Sequence, residues 1–149
     1  MAVLRDRPYP GMNFLVDLGD GNTDGPEAGV AEVVFPDARL QVNEYRTGND
    51  RVKEAEKLIT LSHYGNLVLR RGAIGSLSWY RWWDEARNGG NALRDIRIQL
   101  LDEQQTTTVM TWRFLRARPV AYHYSTMQAQ VADTLFETLE LGFERLEME

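Results

Sequence analysis

Apolar and polar positions alternate with period two over most of the chain, in short runs punctuated by Gly, Pro, Asn and Asp. A run from Asn13 to Leu18 predicts a strand that ends in the turn-rich residues 19–29. Val33 and Phe35, then Leu40 and Val42, repeat at period two on either side of Pro36-Asp37. Thr47-Gly48-Asn49-Asp50 predicts a turning tip, followed by a charged stretch from Arg51 to Lys57 and by Leu58, Ile59 and Leu61. His63-Tyr64-Gly65-Asn66 is a second turn signal, ahead of the apolar run that starts at Leu67. Ile96, Ile98 and Leu100 alternate with Arg97 and Gln99, and residues 106–115 are rich in β-branched and aromatic side chains. There Met110, Trp112 and Phe114 share one face, and Val109, Thr111, Arg113 and Leu115 the other. Pro119 predicts a bulge or an edge.

One segment departs from this period. Trp79, Tyr80, Trp82, Trp83 and Ala86 cover a broad helical face, predicting a helix over Ser78–Asn88. Ser76 or Ser78 is placed to cap it, and Gly89-Gly90 to stop it. The tail, from Val131 to Glu149, fits both periods. Leu135, Leu139, Leu141 and Phe143 suit a strand, while Leu135, Phe136, Leu139, Phe143 and Leu146 suit a helix equally well. Glu137, Glu140, Glu144 and Glu147 read as the wet side of either element.

Composition narrows the function classes. The 149 residues, 43% of them hydrophobic, make one domain with a real core (residues 1–149, with 1–11 an extended N-terminal arm). A formal net charge of −5 argues against a nucleic-acid binder, which needs a basic face. Only Lys53 and Lys57 are lysines; the other basic residues are arginines spread along the chain. The lack of cysteine removes disulfides, thiolate metal sites and cysteine nucleophiles. With neither a signal-peptide pattern nor an apolar run near about 18 residues, the expectation is cytoplasmic synthesis and folding without membrane insertion.

Candidate chemistry is thin. Asp20-Gly21-Asn22-Thr23-Asp24-Gly25 matches the first half of a calcium loop, but Ala31 stands where the closing glutamate belongs. His63 and His123 have no metal-ligand spacing and read as ordinary histidines. No nucleophile elbow, phosphate loop or dinucleotide fingerprint occurs, so no enzyme and no cofactor is expected. The Trp79, Trp82 and Trp83 cluster suits a core or a subunit interface better than a ligand platform.

Read in order, these segments resemble the phage T4-type tail-tube family, including the inner tube proteins of extracellular contractile injection systems. Residues 13–17 look like its opening strand, and residues 41–50, QVNEYRTGND, resemble its EYREGND stretch. Residues 61–72, LSHYGNLVLRRG, resemble LTKYGNITLKRG, with the Trp83 helix following at the expected distance. Ala117-Arg118-Pro119-Val120 stands where the family has AWPVKY, and residues 137–141 match ETLEL. The similarity spans roughly residues 12–149. It departs at Tyr124-Ser125-Thr126-Met127, where the family often has Gly-Pro-Asp-Leu, and at Gly142-Phe143-Glu144-Arg145.

The resemblance implies a mainly β (α+β) fold, a β-sandwich or open barrel with one short flanking helix, and a tail that is a strand. It implies homohexameric rings stacked into a hollow tube, with sheath, baseplate or spike hub and tube-terminating cap proteins as partners and cargo in the lumen. The particle would be assembled in the cytoplasm and then released or membrane-anchored. Two hairpins, about Leu40 to Leu69 and about Ile96 to Tyr122, would line the lumen, with Thr111 and Arg113 facing it. Glu44, Arg46, Asp50, Arg51, Lys53, Glu54, Glu56 and Lys57 would make inter-ring or inter-subunit contacts, and Trp79, Trp82 and Trp83 would sit on a sheath-facing helix. The alternatives are a baseplate-proximal tube initiator and a small-ligand-binding β-barrel.

Overall fold

A computed structural model describes every residue except Lys53. The chain runs β1 (Phe14–Asp17), a 3-10 turn (Pro26–Ala28), β2 (Glu32–Val34), β3 (Ala38–Tyr45), β4 (Glu56–Tyr64), β5 (Leu67–Gly72), α1 (Ser78–Arg87), β6 (Arg94–Leu101), β7 (Thr108–Tyr124), β8 (Phe136–Gly142) and β9 (Arg145–Met148). Pairing is antiparallel throughout, in the order β1-β6-β7-β8-β5-β2, with β9 also on β7; β3 and β4 form a separate two-stranded ribbon.

β7 makes the fold an open barrel. Its first part pairs with β6 and β9, and its last part, from Arg118, pairs with β8. The strand turns between the two at Arg116, whose φ of 55° is rare for a residue with a side chain. The Arg116 amide donates to Asp95 Oδ1 at 3.0 Å, which holds the bend. A second irregularity follows at Pro119, where the sequence predicts one.

The barrel interior is packed with apolar side chains. Leu67, Leu69, Leu139 and Leu141 from β5 and β8 meet Ile96, Ile98 and Phe114 from β6 and β7, and α1 closes the cluster with Trp79 and Trp82. Trp82 donates its indole N–H to the Ala92 carbonyl at 2.6 Å, tying the loop after the helix to the core. The helix ends as the two glycines predict. Gly89 has φ +77°, its amide donates to Ala86 O at 3.2 Å, and the Gly90 amide donates to Glu85 O at 3.0 Å.

Its start differs from expectation. Leu77, and not a serine, holds the N-cap position, and the Ser76 hydroxyl accepts only the Ser78 amide at 3.3 Å. The tail is two strands, β8 and β9, which run consecutively along β7.

Candidate assembly surfaces

β3 and β4 continue β2 and β5 beyond the barrel, with a break at residues 35–37 and 65–66. The hairpin expected from Leu40 to Leu69 therefore ends earlier. Leu67 and Leu69 belong to β5 and are fully buried in the core, so only the part up to Tyr64 projects. In the projecting part every residue of β3, and every residue of β4 except Tyr64, is exposed.

Cross-strand partners share a face, and a bulge beside Thr60 shifts the alternation. Leu40, Val42 and Ile59 consequently stand on one face and Leu58, Leu61 and Tyr45 on the other. An isolated two-stranded ribbon is marginal in water, and this one exposes aliphatic side chains on both sides.

The charged residues expected at the contact divide into three groups. Glu44, Glu56 and Lys57 lie within the ribbon strands, with Glu44 opposite Lys57. Arg46 folds the tip on itself, donating from Nε to Val52 O at 2.9 Å and from Nη2 to Asp50 O at 2.7 Å, while Asp50 Oδ1 accepts the Val52 amide. Arg51 and Glu54 are exposed on the tip, and Lys53 lies outside the described residues.

The helix corrects the sequence reading. Trp79 and Trp82 are each 1% exposed, so they are core residues and offer a sheath nothing. Trp83 is half-buried under the Arg87 guanidinium, 4.9 Å from its ring, and the outward side carries Tyr80, Arg81 and Glu85. Periodicity marks a helix face as apolar without saying whether its own chain or another covers it.

The outer face of the β1-β6-β7-β9 sheet is polar. Asp17, Arg97, Arg113 and Glu147 occupy one transverse row by register. Like charges meet at its centre, and each arginine is balanced by an acid: Arg97 by Asp17 at 3.3 Å and Arg113 by Glu149 at 2.8 Å. Arg113 is exposed. Thr111 is buried, because the chain end pairs with it: its amide donates to Glu149 O, and the Glu149 amide donates to Thr111 O, both at 2.9 Å.

Glu137 is a second correction. It does not lie on a wet face but is 1% exposed, paired with the fully buried Arg71 directly opposite on β5. Arg71 also donates to Glu27 O at 2.7 Å and to Ser78 Oγ at 3.2 Å, and its guanidinium lies 4.3 Å from the Trp79 ring. Tyr122 donates to the other Glu137 oxygen at 2.6 Å and accepts from the Tyr124 hydroxyl at 2.7 Å. Burial first, then the bond to Glu137, pushes the Tyr122 phenol above its usual range. The network pins the 3-10 turn and the start of α1 to the β5-β8 pair. Sequence separation hid it, since Arg71 and Glu137 lie 66 positions apart.

The N-terminal arm is clasped to the β6–β7 turn. Arg5 pairs with Glu103 through two hydrogen bonds of 3.0 and 2.6 Å, stacks on Tyr9 at 3.7 Å, and donates to the Arg7 and Pro8 carbonyls. The Val3 amide donates to Val109 O at 2.9 Å. Hydrogen bonding to Arg5 holds the Glu103 carboxyl down to about 2, from an ordinary value of 4.5. A depressed carboxyl supports the docked state fully above its ordinary value and loses that support as pH falls through about 2. Glu103→Gln removes the charge at neutral pH, and trypsin cleavage after Arg5 is expected to accelerate several-fold with the rest of the chain intact. Unchanged cleavage would mean that the clasp does not hold the arm.

The remaining candidates have structural roles. In the calcium-like loop, Asp20 and Asn22 side-chain oxygens each accept a backbone amide two residues on, at 3.0 Å. Among the described residues no group of three or more His, Asp or Glu is placed to hold a metal. His63 lies on β4 and His123 on β7, in separate sheets, both exposed. Among the described residues no helix is long and apolar enough to cross a membrane.

An open antiparallel barrel with a filled interior, one flanking helix and a long ribbon that pairs with no other strand among the described residues is the architecture of the tail-tube class of structural protein. The family model described as "T4-like virus tail tube protein gp19" matches residues 10–147, and the chain belongs to that family. Among solved structures it is similar to a chain of the anti-feeding prophage baseplate, with 25% identity, 97% of both chains covered and a TM-score of 0.82. It is also similar to a chain of the PVC sheath-tube complex in the extended state, with 25% identity, coverage of 95% of this chain and 91% of that one, and a TM-score of 0.81. Hcp1 from Flavobacterium johnsoniae shares the fold at 13% identity, with a TM-score of 0.54 over 91% of this chain and 93% of its own. A search of curated proteins returned no match.

Proposed function

We propose that this tail tube protein builds the inner tube of a contractile, phage-tail-like injection particle, as homohexameric rings stacked around a hollow lumen that carries cargo. The observation that carries the reading is the β3–β4 ribbon, whose two faces both expose aliphatic side chains and which pairs with no other strand among the described residues. A heterologous contact that closes on itself makes a ring, and stacking the rings gives a tube. Sheath, baseplate or spike hub and terminating cap are the expected partners, in keeping with the baseplate and sheath-tube assemblies of the similar structures.

Within the tube, the charged residues of the ribbon and its tip, from Glu44 to Lys57, serve contacts between rings, where opposite charges set register more than affinity. Arg113, with Arg97 and Gln99 beside it, contributes to a polar bore. The outward side of α1, with Trp83 and Tyr80, faces the sheath. The particle is assembled in the cytoplasm.

Negative-stain electron microscopy of concentrated protein, with sedimentation velocity on the same sample, tests the reading. Six-fold rings or hollow rods are expected. A chain that stays monomeric both alone and with a matching baseplate would overturn it, and an assembled bore lined by apolar side chains would overturn the assignment of Arg113.

A further inference from the structure

The apolar side of the β1-β6-β7-β9 sheet runs past the end of the core. Register defines three successive rows on that side. Ile96, Phe114 and Leu146 form the first; Val16, Ile98, Trp112 and Met148 the second; Phe14, Leu100 and Met110 the third. Ile96 and Phe114 are no more than 1% exposed, and Ile98 is equally buried, but Trp112 is half-exposed and Met148 is open to solvent. In the third row every member is partly exposed. Burial thus falls from the first row to the third.

The uncovered part is shaped. β1 and β2 are the two ends of the barrel path and do not pair with each other. Between them opens a cavity of about 260 Å³, lined mainly by Phe14, Val33, Phe35, Ile98, Leu100 and Trp112. Phe35 sits 4.9 Å from the Trp112 ring and 6.3 Å from that of Phe114, yet remains exposed at the rim beside Val34. Phe35 also leads directly into β3, so this rim is continuous with the foot of the ribbon.

We propose that the slot between β1 and β2 receives the Leu40, Val42 and Ile59 face of the ribbon of a second copy of this chain. The inference rests on the tube reading and names the surface that accepts the ribbon. Two features favour this occupant. The projecting arm carries an aliphatic face and the barrel an apolar cleft, and among the described residues each lacks a cover from its own chain. Slot and ribbon foot also adjoin, so a copy seated on one necessarily approaches the other, and the contact repeats from copy to copy as a head-to-tail interface must. Leu40, Val42 and Ile59 form a compact group, with Val42 directly opposite Ile59.

The chain has no cysteine, which makes disulfide or short bismaleimide cross-linking clean. Ile59→Cys protein is mixed with separately prepared Leu100→Cys protein under assembly conditions, so that only contacts between copies can join them. Phe35→Cys, at the exposed rim of the slot, replaces Leu100→Cys if that variant fails to fold. The expected result is a covalent heterodimer in assembled material, absent when Arg81→Cys on the outside of α1 replaces the slot variant. Rods or rings that form normally without this cross-link would overturn the slot as the receiving surface and leave the tube reading standing. Protein that associates under no condition would overturn both.

Discussion

Glu137→Leu is expected to destabilise the unassembled chain by about 3–5 kcal/mol, because it leaves the fully buried Arg71 without its counter-charge. For a chain of this size that corresponds to a fall in Tm on the order of 10 °C. Two bonds of Arg71, to the Glu27 carbonyl and to Ser78 Oγ, survive the change, but neither partner carries charge. The Tyr122 hydroxyl loses its acceptor at the same time, and that desolvated donor adds about 1–3 kcal/mol if it finds no other. The double variant Arg71→Met with Glu137→Leu should recover most of the loss, since removing a buried pair outright costs far less than halving it. Denaturant unfolding of the three proteins decides the matter. A single-variant effect below about 1 kcal/mol would mean that water reaches the pair.

Val42→Thr combined with Ile59→Thr should raise the protein concentration needed for rods or rings by about a hundredfold. The two replacements keep β-branching, and with it the preference for strand, while removing aliphatic area. At about 0.8 kcal/mol per buried CH₂, with hydroxyls now to be desolvated, roughly 2–3 kcal/mol per contact is lost, and every 1.4 kcal/mol is tenfold. Both side chains are exposed in the single chain, so its own unfolding free energy should move by no more than about 0.5 kcal/mol. Unfolding curves that stay put while electron microscopy finds no rods would separate assembly from folding. Unchanged assembly would show that the ribbon's aliphatic face is not buried between copies.

Much of the fold is legible in the chain because its physical causes are local. Alternation over residues 95–101 and the β-branched and aromatic run over 106–115 give β6 and the first part of β7, Pro119 marks the irregularity in β7, and Gly89-Gly90 stops α1 through a positive φ. Turn chemistry at residues 47–50 likewise marks the ribbon tip, where Arg46 and Asp50 bond to backbone close by. The tail is different: its apolar positions satisfy both periods, and only the resemblance to the tail-tube family favoured the strand.

The assembly surfaces were only half legible. Short-range pattern tells which residues share a face, and it does so correctly for Met110, Trp112 and Phe114. What covers a face depends on segments far away in sequence. Trp79 and Trp82 look like an interface stripe until β5 and β6 close over them, and Thr111 looks wet until the chain end pairs with it.

By itself, then, the sequence determined the family, the strand periods, the turn positions and the absence of thiol chemistry. Tertiary structure decided that Glu137 is a buried ion-pair partner, that Leu67 and Leu69 belong to the barrel and not the projecting hairpin, and that a slot stays open between β1 and β2. The reason is common to all three. Burial and pairing are set by register between strands distant along the chain, and a side chain alternating at period two carries no record of which strand will lie opposite it.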